Sequence, residues 1–472
     1  MASLFERIYT PLPIPAQEAL LSARGVARER LRGQRLYRRL LAGLGQTQYA
    51  DEDALRALQL RRLGVVLGYA MRHVPYYRDQ APRQGSASDP VAADPVAALQ
   101  RFGLLDKGQV MASAKDLVSE AANWRYLAAG YSSGTTGAPI TVYRNLYSIN
   151  VEAAMLARQW AWAGVARHQP RATLRGQVIM PATATQPPYW RYNRAENQLL
   201  MSSYHLSAAN APHYIAELLR YRPVVLEGYP SSLYALALLG QGHGVDRLRG
   251  HIRAAITSSE TLGDQQRSVI EETFGCRVFD YFGNAERTIF IGTCEQGSYH
   301  LCSDYGWTEF LPPQDDQGPD EARPVCTPFH NLAMPLLRYV SDDVLVRGQR
   351  TCPCGRAFPV IERIIGRNDD YVLTPDGRLI GRLDTAYKGL TGILQSEIVQ
   401  DGPRHITIKL TPGPLYTPAS QVELVRRLHQ LLGMEIELEV QHVQEIPRAA
   451  AGKRRLVRSL IRERVPLPQP PR

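Results

Sequence analysis

Residues 223–239 read PVVLEGYPSSLYALALL. The apolar run ahead of Gly228 predicts a buried strand, Gly-Tyr-Pro a turn, and SSLYALALL a helix. Outward from this stretch the pattern repeats. Downstream come a strand at AAITSSE (254–260), a helix at GDQQRSVIEETFG (263–275) and a strand at CRVFDYFG (276–283). Upstream lie a helix over 148–164 with an Ala-rich face, a short strand at QVIMPA (177–182) and a helix over 213–221. Strands that alternate with helices in this way predict an α/β domain with a largely parallel sheet.

Both ends of the chain have a different texture. From about residue 16 to 80 apolar residues recur at helical spacing, as in LRALQLRRLGVVLGYAMRHV, and the pattern stops at Pro75. The stretch 82–98, rich in Ala, Pro, Ser and Asp, predicts an exposed loop. Beyond about 366, YVLTPDGRLI predicts a hairpin with an Asp-Gly turn. ILQSEIVQ, RHITIKLTP and IELEVQHV read as strands and VELVRRLHQLLG as an amphipathic helix. The expected architecture is a large N-terminal domain (1–366) with mixed, largely parallel sheets and helices. A border at GRNDD (366–370) sets it off from a small α+β domain (367–472).

The composition, 44% hydrophobic and 21% charged, is that of a soluble globular chain. No apolar run approaches the ~18 residues of a membrane span, and the first residues lack a basic-then-apolar leader. A cytoplasmic enzyme that does not engage membranes is expected, as a monomer or a homodimer. Two segments concentrate the +10 net charge: 24–39 holds seven arginines, and 448–464 holds six arginines and one lysine. No base-reading module accompanies them, which argues against nucleic acid and for plain solvated helices or for some help in attracting an anionic cofactor.

The nine residues YSSGTTGAP (131–139) offer hydroxyls and glycines with hardly a side chain to fill a core. Linkers have this composition, and so do loops that wrap phosphate. It is not a Walker loop, because Ala138 rather than Lys follows Gly137. The strand-like ITVYRN that follows favours an ordered turn whose amides and hydroxyls face an anion.

Four further motifs keep it company: FGNAE (282–286), RYVSDD (338–343), GRNDD (366–370) and AGKRR (451–455). In this order the five resemble the motifs of the adenylate-forming, acyl-CoA synthetase-like superfamily, nearest its phenylacetate–CoA ligase and capsule-biosynthesis branch. The resemblance implies ATP-dependent activation of a carboxylic acid, with an aromatic acid as the first expectation. Joining the acid to AMP releases pyrophosphate, and the acyl group then passes to the CoA thiol. The alternative acceptor is an amine, a hydroxyl or a carrier protein.

Residue by residue, the resemblance implies that Ser132, Ser133, Gly134, Thr135, Thr136 and Gly137 hold the β- and γ-phosphates. Glu286 would hold Mg²⁺, as a hard oxygen ligand for a hard ion. Phe282 would pack on adenine, Asp280 accept from its amino group, and Asp343 with Arg367 bind the ribose. Lys453 would meet the charge that builds at the α-phosphate, and Asp369 would be the pivot of the swinging small domain. Tyr229, Tyr234 and Ser259 are candidates for the acid pocket, and Glu260 for framing the nucleotide. Other readings stand beside these: Phe282 as core filler, Glu286 with Arg287 as a surface pair, Asp342–Asp343 as a turn. The chain departs from the family pattern at Ala138, Ala285 and Asp342, where the family carries lysine, threonine and glycine.

Of six cysteines, most cluster between 294 and 354, a spacing that suggests metal rather than disulfides. Cys294, His300, Cys352 and Cys354 make a Cys₃His set suited to structural Zn²⁺, a pairing also found in some relatives of the phenylacetate–CoA ligases. Cys302 is the reserve ligand, and Cys276 and Cys326 read as core positions. The alternative is a group of buried free thiols.

Overall fold

The computed structural model describes the chain except residues 1–8, 33–34, 79, 81–90, 92–93, 132–139, 178, 182–183, 313–319, 342, 349–350, 366–371, 382, 388–389, 391, 414–415, 445, 447–455 and 462–472. Among the described residues the N-terminal helices are Ile14–Arg32, Arg35–Thr47 and Glu52–His73. The third starts where Asp51 Oδ1 accepts from the Ala54 amide at 2.7 Å, an N-cap that satisfies one otherwise orphaned donor.

Two short strands, β1 (Ala128–Tyr131) and β2 (Thr141–Arg144), pair antiparallel and bracket the hydroxyl-rich loop. The main sheet draws on β3 (Arg171–Arg175), β4 (Trp190–Asn193), β5 (Gln198–Ser202), β6 (Val225–Gly228), β7 (Ala254–Ser258) and β8 (Arg277–Gly283). It continues through β9 (Phe290–Thr293) and β10 (Tyr299–Leu301), with β12 (Glu321–Ala322), β15 (Val344–Arg347) and β16 (Val360–Ile365) at the far edge. Its eleven strands run in the order β12-β15-β16-β10-β9-β8-β7-β6-β3-β5-β4. The five central ones, β5-β3-β6-β7-β8, are parallel, and the flanks are antiparallel. A separate three-stranded sheet holds β11 (Gly306–Phe310), β13 (Pro324–Pro328) and β14 (Tyr339–Val340).

Parallel strands need both faces covered, and every residue of β7 is buried. On one face the helices Ala211–Tyr221, Pro230–Leu239 and Asp264–Phe274 supply Tyr214, Leu233, Leu236, Ile270 and Phe274 to the main core cluster. On the other, Ala254, Ile256 and Phe279 meet Trp160 and Ala163 at the end of the helix Leu146–Trp162. This arrangement lines up the C-terminal ends of β3, β6, β7 and β8, the edge at which open α/β sheets bind ligands.

A small C-terminal domain follows. β17 (Val372–Leu373) and β18 (Leu379–Ile380) form the expected hairpin, with Gly377 at φ +80° in its Asp-Gly turn. The four-stranded sheet β21-β20-β19-β22 is built from β19 (Ile393–Gly402), β20 (His405–Pro412), β21 (Glu437–His442) and β22 (Val457–Ser459). The helix Pro418–Leu432 buries Leu424, Leu428, Leu431 and Leu432, the one-face spacing of an amphipathic helix, in the same core as Ile398, Ile406 and Ile408. Arg378 Nη1 reaches across to the Tyr204 carbonyl at 2.7 Å and Nη2 to that of Leu432 at 3.0 Å, tying this domain to the large one.

The structure corrects three expectations. The described part of QVIMPA is not a strand; the strand lies just before it, at β3, whose end arginines hide its apolar centre. β4 and β5 were not foreseen at all. The stretch read as a loop over 82–98 includes the start of a short helix, Pro95–Gln100, where Asp94 Oδ1 accepts from Val96 and Ala97 and Pro95 occupies the first turn.

Candidate active site and cysteine cluster

Ser132, Ser133, Gly134, Thr135, Thr136, Gly137, Arg367, Asp369 and Lys453 lie outside the described residues, as does Asp342. What flanks the hydroxyl-rich loop is described. On β2, Arg144 Nη2 donates to the carbonyl of Ala285, so the strand leaving the loop is held against the turn that carries Glu286. That turn is closed by Asn284, whose Nδ2 donates to Thr288 Oγ1 at 2.7 Å while its Oδ1 accepts from the Thr288 amide at 2.9 Å. Arg287 takes a left-handed φ of +56°, unusual for a non-glycine residue and a mark of tight local constraint.

Glu286 is 7% exposed, and its Oε1 accepts from the Tyr339 hydroxyl at 3.0 Å. A carboxylate buried and held this way is not a solvated surface side chain. Asp343 is half-buried in a Ser341 turn: its Oδ2 accepts from Ser341 Oγ at 3.3 Å and its amide donates to the same oxygen at 3.2 Å.

Other residues expected at the site are held differently. Asp280 is 4% exposed, with Oδ1 accepting from Thr257 Oγ1 at 2.6 Å and Oδ2 from the Tyr299 hydroxyl at 2.8 Å. Burial pushes its carboxyl up to about 7, against the lowering pull of those two hydroxyls. Each oxygen thus accepts one hydroxyl within the core, at the residue expected to meet the adenine amino group. Phe282 packs against the apolar cluster of Ile289, Ile291 and Leu301, the core-filling alternative.

At the acid end, Tyr229 follows β6 and Ser259 follows β7. Ser259 is exposed and left-handed at φ +72°. A Cβ on Gly176 would lie 2.7 Å from the Tyr204 hydroxyl and 3.3 Å from the Tyr229 ring, so glycine there lets two tyrosines close on the end of β3. Arg175, not anticipated, joins three strand ends: its Nη2 donates to Ser258 Oγ at 2.8 Å and lies 3.3 Å from Glu227 Oε1. Two further residues expected at this end are held as follows. Tyr234 is 9% exposed and belongs to the main core cluster. Glu260 accepts from the amide and the hydroxyl of Ser231, each at 3.1 Å, and so caps the helix Pro230–Leu239, whose own N-cap Tyr229 offers no side-chain bond.

The ligand atoms of Cys294, His300, Cys352 and Cys354 all lie within 4.8 Å of one another. Cys294 Sγ is 3.7 Å from Cys352 Sγ, and Cys354 Sγ is 3.3 Å from His300 Nε2. Thiolates bound at ~2.3 Å to one tetrahedral ion stand about this far apart. His300 Nδ1 lies 3.1 Å from the Phe358 carbonyl, which fixes the tautomer that turns Nε2 to the sulfurs. Burial raises the Cys294 thiol; at Cys352 burial also raises, but hydrogen bonds from Ser298 and Cys354 outweigh it and lower the thiol. Cys302 stands outside the set, buried, with its thiol pushed up to about 12. Cys326 is fully buried and Cys276 partly so, as expected of core positions.

Residues 372–459 match the CapK C-terminal domain family. Protein CapK of Staphylococcus aureus is 24% identical over 456 residues, covering 95% of this chain and 98% of its own length. A phenylacetate–coenzyme A ligase of Thermus thermophilus is 25% identical over 332 residues, 68% of this chain and 72% of the relative. In structure the chain is similar to a 2-hydroxyisobutyryl-CoA ligase crystallised with 2-HIB-AMP and CoA, at a TM-score of 0.54 and 18% identity over 88% of this chain and 92% of that one. No described helix is long and apolar enough to cross a membrane. The chain is a homologue of CapK and of the phenylacetate–coenzyme A ligases, and it carries the two-domain fold of the acyl-CoA ligases.

Proposed function

We propose that this chain is an adenylate-forming carboxylate ligase: it joins a carboxylic acid to AMP, releases pyrophosphate, and passes the acyl group to the thiol of CoA. One observation carries the reading. The hydrogen bond from Arg144 to Ala285 holds the base of the hydroxyl-rich loop beside the turn bearing Glu286, so phosphate donors and a metal-binding carboxylate can serve one nucleotide.

In this reading Ser132, Ser133, Thr135 and Thr136, with the amides of Gly134 and Gly137, bind the β- and γ-phosphates. Glu286, oriented by Tyr339, holds Mg²⁺, which supplies positive charge to the triphosphate when bound. Asp343 and Arg367 bind the ribose. Lys453 steadies the charge on the α-phosphate and the attacking carboxylate. The acid, with an aromatic one as first choice, lies between Tyr229 and Ser259 at the strand ends. The domain border falls at 366, and Asp369 is the pivot on which the small domain moves between the two half-reactions. Cys294, His300, Cys352 and Cys354 hold a structural zinc; the fit rests on their tetrahedral spacing and the His300–Phe358 bond.

Transfer to an amine, a hydroxyl or a carrier-protein thiol is the second reading. It stands beside the first because the name of the relative that matches almost the whole chain, protein CapK, specifies no acceptor, whereas the relatives named as CoA ligases match about two-thirds. Pyrophosphate release over a panel of carboxylic acids, with and without CoA, tests both. Turnover that stalls without CoA supports the first, turnover that CoA does not change supports the second, and no ATP consumption with any acid contradicts both.

A further inference from the structure

A second cationic residue stands beside Arg144, and neither belongs to the five motifs' expected roles. Arg287 and Arg144 are both half-buried and close enough to repel: burial and then Arg287 push the Arg144 guanidinium down to about 10. Among the described residues, Arg287 Nη1 and Arg144 Nε are buried with no hydrogen-bond partner. Among the described residues, the acids that act on Arg144 are Glu152, which accepts from the Tyr305 hydroxyl at 2.6 Å, and Glu286, which accepts from Tyr339. His330 adds no third positive charge, because burial, Arg287 and Arg144 hold it neutral, at about 3.

The cradle is shaped for this arrangement. A Cβ on Gly130 would lie 2.3 Å from Arg144 Cζ, so the guanidinium rests on the backbone of β1, two residues before the hydroxyl-rich loop. Two half-buried cations, each with a buried donor to spare, cost free energy unless an anion shares them. The loop itself brings no charge, since Ala138 stands where its relatives in pattern carry lysine.

We propose that Arg144 and Arg287 form the cationic wall of the triphosphate site and bind the pyrophosphate end of the nucleotide, supplying the charge that the loop lacks. The proposal rests on the adenylation reading above. In that reaction a carboxylate oxygen of the acid attacks the α-phosphorus, the bond from that phosphorus to the bridging oxygen breaks, and pyrophosphate leaves with the bonding electrons. Paired guanidinium forks suit this leaving group, since each offers several N–H donors to phosphate oxygens.

Calorimetry on the full chain, with inorganic pyrophosphate plus Mg²⁺ as one probe and AMP as the other, tests it. Arg287→Gln should weaken pyrophosphate at least tenfold and leave AMP within twofold, and Arg287→Lys should recover most of the loss. Gly130→Ala offers a second route that spares the fold, because its methyl meets only the movable end of Arg144; it too should weaken pyrophosphate selectively. If Arg287→Gln fails to fold, Gly130→Ala decides. Pyrophosphate affinity unchanged in the folded variants, or lost in parallel with AMP, overturns the assignment. Wild-type chain that binds AMP but not pyrophosphate overturns the arginine wall alone, whereas chain that binds neither overturns the adenylation reading with it.

Discussion

The Tyr339 hydroxyl donates to Glu286 Oε1 at 3.0 Å across 53 residues of sequence. It joins β14 to the turn after β8 and fixes the direction in which a buried carboxylate points. Tyr339→Phe keeps the ring and removes the donor. A buried acceptor left short of a partner costs about 1–3 kcal/mol, so the melting temperature should fall modestly. The Mg²⁺ concentration needed for half-maximal pyrophosphate release should rise several-fold. A Mg²⁺ titration that superimposes on wild type would remove Tyr339 from the site.

The cysteine cluster predicts one zinc per chain by elemental analysis of protein purified without chelator. Cys352→Ser or His300→Ala should release that zinc and lower the melting temperature, because structural metal binding is folding free energy. Its four ligands join the β9–β10 hairpin, which carries Cys294 and His300, to the segment before β16, which carries Cys352 and Cys354. Retention of stoichiometric zinc in both variants would place the metal elsewhere.

Asp280 gives a pH dependence of defined sign. Its folded pKa, about 7, lies above the ordinary carboxyl value of 3.8. The folded chain therefore binds more protons than the unfolded one between those limits. Asp280's contribution to stability is fully present below about pH 4 and is lost as pH rises toward 7. Asp280→Asn should flatten that part of the stability curve, with each unit of removed shift worth about 1.4 kcal/mol, and should be at least as stable as wild type above pH 7. Denaturant melts at pH 5 and pH 8 measure this; a variant with the wild-type slope contradicts it.

The proposed pivot separates the two half-reactions. Asp369→Pro should leave pyrophosphate release from acid and ATP near the wild-type rate while reducing thioester formation at least tenfold, as restriction of a hinge does. Equal loss in both steps, followed in single-turnover assays, would show that residue 369 is not the joint.

Local chemistry explains what could be read from the sequence and what could not. The run β6–helix–β7–helix–β8 was legible because its apolar runs are uninterrupted and its turns carry Gly and Pro. β3 was not, since RATLR begins and ends in arginine. The structure sets Arg171 near Glu196 and Glu227 and Arg175 near Glu227, pairings no linear pattern reveals. The cysteine set was legible from residue type and grouping. Arg144 with Ala285, 141 residues apart, was not, nor was the capping of Ser231 by Glu260. The burial of Asp280 was not legible either, because the hydroxyls of Thr257 and Tyr299 that make it tolerable come from other strands.

The central claim is that the loop at 132–137, Glu286 and Lys453 serve one nucleotide. A crystal structure of the chain with a non-hydrolysable ATP analogue, Mg²⁺ and a carboxylic acid tests it most directly. The account predicts the β- and γ-phosphates within hydrogen-bonding distance of the loop amides and hydroxyls, with Mg²⁺ on Glu286. A nucleotide bound away from both, or a loop turned from Glu286 with the analogue present, would contradict it.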